Sequence, residues 1–571
     1  MINEAELLQH LIDNFKQVAK VDISVFKRRR LKYCFSFLDE IEGIEVTIFL
    51  GLDEEFPLSL PSYFIKEYDK FPFIPHVEED GKICYTHDDN VFVDYTDPYN
   101  VITESFQLAR NTITVGLKGE NKIDFVNEFE SYWVRLKDVE EIYGNLNLSS
   151  GPSQIKIGHK DKLIFAVSEE NEYFEKTKRF IDLTEKGITY ENGIYLPLEK
   201  GFYPEPLRSS DPVTFEYFKR ILSGIEGADL KKVQKLANRS AKAKEYVIVS
   251  FEQPDGLKSI LGFQFSGCQR HPIVTNEFNG KIKPVSVQRL DKEYLIKRGG
   301  NGETHFTKRG LIIGCGSVGG FIIEELIRTG FTHLDIVDND KLSQENSYRH
   351  FLGFENLYQP KVDAIKKRIE KIFPHSNITA INDKIERLLL NKKLDISSYQ
   401  FIVVATGNVT INHFLNEFIT SKYTGLPVFF SWNEPYGIGG HVLATNISNN
   451  GCYQCLYDNE YRHNRASFAD KNQTKPFLKS VSGCGTVYTP FSSIDSRHTA
   501  CLTIKKIAEV LNGDQKVNTI NSWKGDNKLF IQEGFKMSAR YELDEHQLHE
   551  VATKFESITC PICNSAKTKM L

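Results

Sequence analysis

Positive charge is not in excess along these 571 residues: Lys and Arg number 71 against 76 Asp and Glu, a formal net charge of −5. A balance of that sign gives no electrostatic footprint for nucleic acid or another polyanion. No apolar run approaches the roughly 20 residues needed to cross a bilayer. The start, Met1-Ile-Asn-Glu-Ala-Glu, lacks the basic-then-apolar pattern of a secretion signal. The expectation is a cytoplasmic protein without membrane contact. Cysteine is sparse, ten in all, and four of the ten fall in two Cys-x-x-Cys pairs. That usage argues against a disulfide framework and for a reducing compartment with metal or thiol chemistry. Internal repeats and low-complexity segments are absent. The length allows three or four domains, each with its own core.

The most informative stretch is 311–361. An apolar run, Leu311-Ile312-Ile313, turns through Gly314-Cys315-Gly316-Ser317-Val318-Gly319-Gly320 into a helix-patterned segment, and a second strand ends at Asp338. Glycines let backbone approach a phosphate, and a helix N-terminus supplies free N–H groups and a positive dipole end. Asp338 is placed to accept ribose hydroxyls. The glycines alone fit any dinucleotide enzyme. The basic set downstream, Arg349 and Lys361, has no use in hydride transfer but suits adenylation, where cations meet charge developing between the α- and β-phosphates.

Gly314-x-Gly316-x-x-Gly319, Asp338-x-Asp340, Asn346-x-x-Arg349 and Gln359-Pro360-Lys361-Val362 resemble the adenylation domain of ubiquitin-activating enzymes and their bacterial ThiF and MoeB relatives, over roughly Thr307 to the C-terminus. The resemblance implies a Rossmann-like ThiF domain over 301–571. It also implies ATP and Mg²⁺ as cofactors, and adenylation of the C-terminal carboxylate of a ubiquitin-like partner. Gly314, Gly316, Gly319, Asp338, Asp340, Asn346 and Lys361 would bind the nucleotide, and Arg349 would act in catalysis. One departure is Thr406-Gly407-Asn408: the family usually has Thr-Asp-Asn there, with the aspartate handling magnesium. Asp338, Asp340 or Glu434 would then hold the ion, which needs only one or two carboxylates. Related enzymes donate an arginine across a dimer from about the position of Arg298.

The N-terminal part reads as a helix with Leu7, Leu8, Leu11, Ile12, Phe15 and Val18 on one face. An antiparallel hairpin follows (31–38 and 44–50), then a third strand (62–65), an irregular segment ending at Cys84, and helices around 101–114 and 123–136. This order resembles ubiquitin-conjugating enzymes, in an α+β domain over 1–145. That family's His-Pro-Asn triplet has its Asn eight residues before the catalytic cysteine. Here Ile74-Pro75-His76 stands in that place, with His76 eight residues before Cys84, and Gly81-Lys82-Ile83-Cys84 matches the family's approach. Cys84 would carry an acyl group by thioester exchange. A thiol with pKa near 8.5 is a few per cent ionised at pH 7, enough for that exchange. His76 would donate a hydrogen bond where the family uses Asn, an effect worth roughly 3 kcal/mol where such donors are removed elsewhere. Cys34, in an alternating strand, reads as packing.

Residues 146–300 carry no catalytic constellation and read as an α+β linking domain. The fold class is thus α/β multidomain. Farther on, Cys452-Tyr-Gln-Cys455 and Cys560-Pro-Ile-Cys563 can supply four corners of a tetrahedral Zn²⁺. Redox pairs are the alternative, and the long separation matches the split zinc site of ThiF-like enzymes. Cys501 falls in a helical run with Ala500, Ile504 and Ile507 and reads as core. Cys484, in Ser482-Gly483-Cys484-Gly485-Thr486, is the candidate first thioester, with Cys501 as runner-up.

Both ends on one chain resemble the fusion proteins of bacterial CBASS antiphage operons. The resemblance implies activation of the C-terminus of a cGAS-like nucleotidyltransferase and its conjugation to a target amine, by a homodimer. The alternatives are a sulfur-carrier adenylyltransferase of ThiF or MoeB type, a scaffold with degenerate enzyme-like ends, and, remotely, a nicotinamide oxidoreductase.

Overall fold

The structure, a computed structural model, describes residues 3–23, 30–86, 91–181, 187–238, 243–300, 307–449, 451–457, 464–480 and 487–563. It divides into two compact units, residues 1–175 with 184–290 and residues 291–571 with 176–183. No helix among the described residues is long and apolar enough to cross a membrane.

The first unit opens with the helix Glu4–Asn14, capped by Asn3 and burying Leu7 and Leu11. The expected helical face ran on to Phe15 and Val18. Instead the chain leaves the helix at Asn14, and Lys16–Lys20 pairs antiparallel with Leu31–Ile41. Phe15 still serves the core, stacked on Phe37 with ring centroids 4.3 Å apart, which is why its apolar character mimicked a longer helix. Leu31–Ile41 and Ile44–Asp53 form a hairpin through Glu42 and Gly43, both at positive φ (51° and 77°), as tight two-residue hairpin turns require. Ser62–Ile65 completes a four-stranded antiparallel sheet. The helix Pro98–Lys118 lays Ile102, Phe106, Ala109 and Ile113 against it. The expected helix at 123–136 is two short ones, Asp124–Asn127 and Phe129–Trp133.

A closed seven-stranded barrel follows within the same unit, in the order Lys258–Ser266, Lys281–Arg289, Glu140–Asn145, Leu163–Ser168, Ser153–Lys160, Thr189–Pro197, Lys244–Glu252. Its first strand lies before the expected boundary at 145/146. It pairs in parallel with strands on both sides. Closure removes exposed sheet edges. Phe129 and Trp133 pack among Phe251 and Phe263 of the barrel, and Trp133 Nε1 donates to the Val285 carbonyl at 2.9 Å.

The second unit is a doubly wound sheet of seven strands, in the order Asn377–Ile381, His333–Val337, Arg309–Ile313, Phe401–Val404, Val428–Asn433, Gly439–Thr445, Thr519–Lys524. The first five are parallel, and Gly439–Thr445 runs antiparallel to both its neighbours. The first four follow the 3-2-1-4 order of dinucleotide-binding folds, so the order in which strands are added reverses between the parallel neighbours Arg309–Ile313 and Phe401–Val404. Ligand sites in such sheets lie beyond the carboxyl ends at that reversal, where residues 314–319 and 405–408 fall. The near-continuous apolar strands, with Leu311, Ile312, Val403 and Val404 all buried, are what a sheet covered on both faces demands.

Candidate functional site

The turn after Arg309–Ile313 is fixed by its glycines. Gly314 has φ +93°, and a Cβ there would lie 2.6 Å from the Ala405 carbonyl oxygen. A Cβ on Gly319 would lie 1.9 Å from the Gly314 oxygen. A Cβ on Gly316 would meet nothing within 4 Å. Two glycines therefore permit the fold of the turn, and the third faces open space. Gly316 also heads the helix Ser317–Arg328, and no side chain caps that helix, so its first N–H groups are available to an anion.

Acidic and basic residues frame the turn. Asp338 accepts from the N–H of Cys315 and from that of Asp340, both at 2.7 Å, so both its oxygens are engaged in holding the loop. Lys361, buried at the start of the helix Lys361–Ile372, bonds Asp340 Oδ2 at 3.0 Å. Asn346 Oδ1 accepts from Arg349 at 3.0 and 3.3 Å. Arg349 also lies over the Phe491 ring, and burial lowers its pKa.

His350 was not singled out by sequence. Its Nδ1 accepts from Leu352 N–H at 3.0 Å, which leaves the proton on Nε2, donated to the Cys315 carbonyl at 2.7 Å. Burial holds the imidazole neutral, with its pKa lowered to about 4. His350 thus positions the glycine turn, and the only signal in the chain was its place beside Arg349.

At residue 407 the backbone has φ +66°, and a Cβ would meet nothing within 4 Å. The position has room for a carboxylate but holds the conformation glycine prefers. Glu434, one of the three candidate magnesium ligands, is buried and committed elsewhere. Its oxygens bond His441 Nε2 at 2.9 Å and Ser467 Oγ at 3.0 Å. It is corrected to a structural group, and Asp338 and Asp340 remain.

The two Cys-x-x-Cys pairs converge. All four sulfurs of Cys452, Cys455, Cys560 and Cys563 lie within 4.8 Å of one another and are buried. The Cys452–Cys560 and Cys455–Cys563 separations are 3.7 and 3.5 Å. A tetrahedron with Zn–S bonds of about 2.3 Å has edges of about 3.8 Å, so the donor set fits. Asn416 Nδ2 donates to Cys452 Sγ at 3.5 Å, the kind of outer contact that orients a metal ligand.

In the first unit, Cys84 lines an open groove with His76, Glu78, Tyr132 and Arg135. Burial, then Glu78, pushes its thiol up to about 11, so the free-thiol expectation of a few per cent thiolate at neutral pH does not hold. His76 sits at φ +64°. Its Nε2 bonds Asp124 Oδ2 at 3.0 Å, and its Nδ1 lies 3.6 Å from Glu128 Oε1. With both ring nitrogens facing carboxylates, the imidazole is not free to act as the expected oxyanion donor. Its carbonyl instead accepts from the Cys84 N–H at 2.8 Å, so His76 shapes the loop through its backbone.

Among the other cysteines, Cys34 is buried, as expected of packing. Cys501 is exposed, a correction. Ala500, Ile504 and Ile507 form the buried face of the helix Ser493–Leu511, and Cys501, about 100° around from Ala500, faces away from it. Cys484 lies outside the described residues. Arg298 lies over the Tyr294 ring on the helix Lys292–Gly299.

Comparison with known families assigns both ends. Residues 298–533 match the ThiF family and residues 11–142 match Prokaryotic E2 family B. The chain is therefore a multidomain fusion of an E2-like domain and a ThiF domain. Among curated relatives, the ATP-dependent ubiquitin transferase-like protein Cap2 of Pseudomonas aeruginosa (strain BWHPSA011 / Pa011) is 26% identical over 459 residues, 77% of this chain and 80% of its own. The protein of the same description from Vibrio cholerae serotype O1 (strain ATCC 39315 / El Tor Inaba N16961) is 22% identical over 557 residues, 87% and 91% of the two chains. A crystal structure of E. coli MccB with ATP shares 13% identity over 48% of this chain and 70% of its own, at a TM-score of 0.33.

Proposed function

We propose that this chain activates a protein C-terminal carboxylate with ATP and conjugates it to an amine through Cys84. The observation that carries the reading is a pairing on one chain. A glycine turn with an open, uncapped helix N-terminus stands in a ThiF domain, and a groove-lining cysteine stands in an E2-like domain. The description of the Cap2 relatives as ATP-dependent ubiquitin transferase-like proteins supports it.

In the proposed sequence, ATP lies with its phosphates at Gly316 and the start of Ser317–Arg328. The partner's carboxylate oxygen attacks the α-phosphorus, and pyrophosphate leaves. Lys361 and Arg349 meet the developing negative charge. Asp340, with one oxygen on Lys361, would be the carboxylate more open to Mg²⁺, and Asp338, both of whose oxygens hold the loop, would reach it only through their remaining lone pairs. The acyl group moves from AMP to Cys484, then to Cys84, then to an amine nitrogen. The four cysteines would hold Zn²⁺ as a structural ion that ties residues 560–563 to the short 3₁₀ turn Tyr453–Leu456 and its cap Cys452. The partner is a cGAS-like nucleotidyltransferase of an antiphage system, the working assembly a homodimer, and the compartment the cytoplasm.

Intact-mass measurement tests this on protein incubated with ATP, Mg²⁺ and the neighbouring nucleotidyltransferase, for the wild type, Cys84→Ala and Cys484→Ala, with and without reductant. A thiol-cleavable adduct is expected on the wild type, confined to Cys484 in Cys84→Ala and absent from Cys484→Ala, and conjugation to the amine is lost in both variants. Conjugation that persists in Cys84→Ala would sink the relay. One alternative has its own support: a binding scaffold, favoured by the missing carboxylate at Gly407 and by the committed imidazole of His76. ATP–pyrophosphate exchange that depends on the partner's C-terminus would exclude it.

A further inference from the structure

The loop that carries Cys84 is a short antiparallel pairing. Val77 and Ile83 are bridged, the Glu78 N–H donates to the Lys82 carbonyl at 2.7 Å, and the Cys84 N–H donates to the His76 carbonyl at 2.8 Å. Side chains alternate across such a pair. Ile83 is buried in the core of the sheet, so Cys84 turns the other way, into the groove. Glu78 and Cys84 are diagonal neighbours on that face, within reach for a long side chain. The turn between them needs Gly81: its φ is +81°, and a Cβ there would lie 2.1 Å from the Ile65 carbonyl oxygen. The backbone thus fixes the distance between a carboxylate and the sulfur, and the Cys84 thiol donates to Glu78 Oε1 at 3.4 Å.

The other groups around the sulfur are unsuited to take its proton. Lys82 and Arg135 are cations whose charge favours the thiolate. Tyr132 is a phenol raised to about 12 chiefly by burial. Glu128 faces His76 Nδ1 and accepts from the Tyr132 hydroxyl at 3.5 Å, and Asp124 faces His76 Nε2. Among the described residues, Glu78 is the carboxylate in contact with the nucleophile.

Resting on the conjugation reading above, we propose that Glu78 is the general base that takes the proton from Cys84 as the sulfur attacks the incoming acyl carbonyl. The S–H bond breaks toward Glu78 Oε1, the C–S bond forms, and the carbonyl carbon's bond to the donor thioester sulfur breaks, that sulfur leaving with the electron pair as a thiolate that takes up a proton from solvent. The protonated carboxyl then releases its proton to solvent. A resting carboxylate beside a thiol opposes standing thiolate. The site therefore keeps Cys84 protonated between turnovers and delivers it as a nucleophile only when an electrophile is in place.

The role makes two measurements move in opposite directions. Glu78→Gln removes both the base and the repelling charge. Cys84 should then react faster with iodoacetamide at pH 7.5, because its thiol pKa falls, while acyl loading from ATP and the partner slows by about a hundredfold. Glu78→Asp keeps a base and should lose less loading than the glutamine variant. Loading in Glu78→Gln that is as fast as wild type, or faster, overturns the proposal, since Glu78 would then only restrain the thiolate. Equal loss of loading and of alkylation in both variants overturns it as well, because it marks a structural role. A wild type that alkylates at Cys84 yet never carries an acyl group there overturns the relay reading itself, and with it this role.

Discussion

At the glycine turn of the second unit the backbone makes the site. Gly314, Gly319 and the positive φ at 314 fix the path, Asp338 braces it through two N–H groups, and Gly316 is left open. In the Cys84 groove, a local backbone pairing brings Glu78 to the sulfur, and side chains from a separate segment decide what the His76 ring does. His76 is drawn away by Asp124 and Glu128, nearly fifty residues on, and Glu78 takes the place beside the sulfur. The difference teaches what each will tolerate. A backbone site fails when an atom is added. A side-chain site fails when a partner is exchanged, and a neighbouring group can inherit a role.

Four experiments would break or sharpen that contrast, in falling order of effect. The four-cysteine cluster combines the two kinds, local pairs joined over a long range. If Zn²⁺ fills it, chelation or Cys560→Ala should withdraw on the order of 10 kcal/mol of local binding free energy and release residues 560–563 to protease. Unchanged melting and proteolysis after metal removal would refute the ion. Next, Gly319→Ala forces a Cβ to 1.9 Å from a backbone oxygen and should cost about 3 kcal/mol and abolish ATP–pyrophosphate exchange. Gly316→Ala should leave melting unchanged and weaken only ATP binding. Similar destabilisation by both would erase the distinction between shaping and ligand-facing glycines.

His350 comes third. Its folded pKa is lowered from about 6.5 to about 4 by burial. The unfolded chain therefore binds the extra proton first, and the contribution to stability is full above about pH 6.5 and lost as pH falls toward 4. The span is worth up to about 3 kcal/mol. Denaturant melts across that range should steepen for the wild type relative to His350→Gln, and parallel curves would count against it. The smallest effect is expected at His76. With its ring held between carboxylates, His76→Ala should slow Cys84 loading less than tenfold and cost about 1 kcal/mol. A hundredfold loss in loading with normal melting would restore it as an oxyanion donor.

Residue order alone carried the adenylation motif, because Gly-x-Gly-x-x-Gly after a strand is a statement about backbone and the backbone rule is local. It carried the hairpin between 31–38 and 44–50 and the two Cys-x-x-Cys pairs, for the same reason of local spacing, while the joining of the pairs followed from the resemblance to ThiF-like enzymes. It misjudged Phe15 and Val18, where apolar periodicity is shared by a helix end and an edge strand. It misjudged Cys501, where one residue's shift around a helix separates core from solvent.

The sequence by itself thus determined the two enzyme-like ends, the glycine turn and the two Cys-x-x-Cys pairs, because each depends on neighbours within a few positions. Only the tertiary structure decided that residues 140–290 close into a barrel, that Glu434 is spent on His441, that His350 steadies the turn and that Glu78 rather than His76 meets Cys84. The barrel and His350 depend on which distant segments arrive at the same place, and the Glu434–His441 and Glu78–Cys84 contacts, though only seven and six residues apart, depend on how the backbone pairs there; packing decides both, not order along the chain.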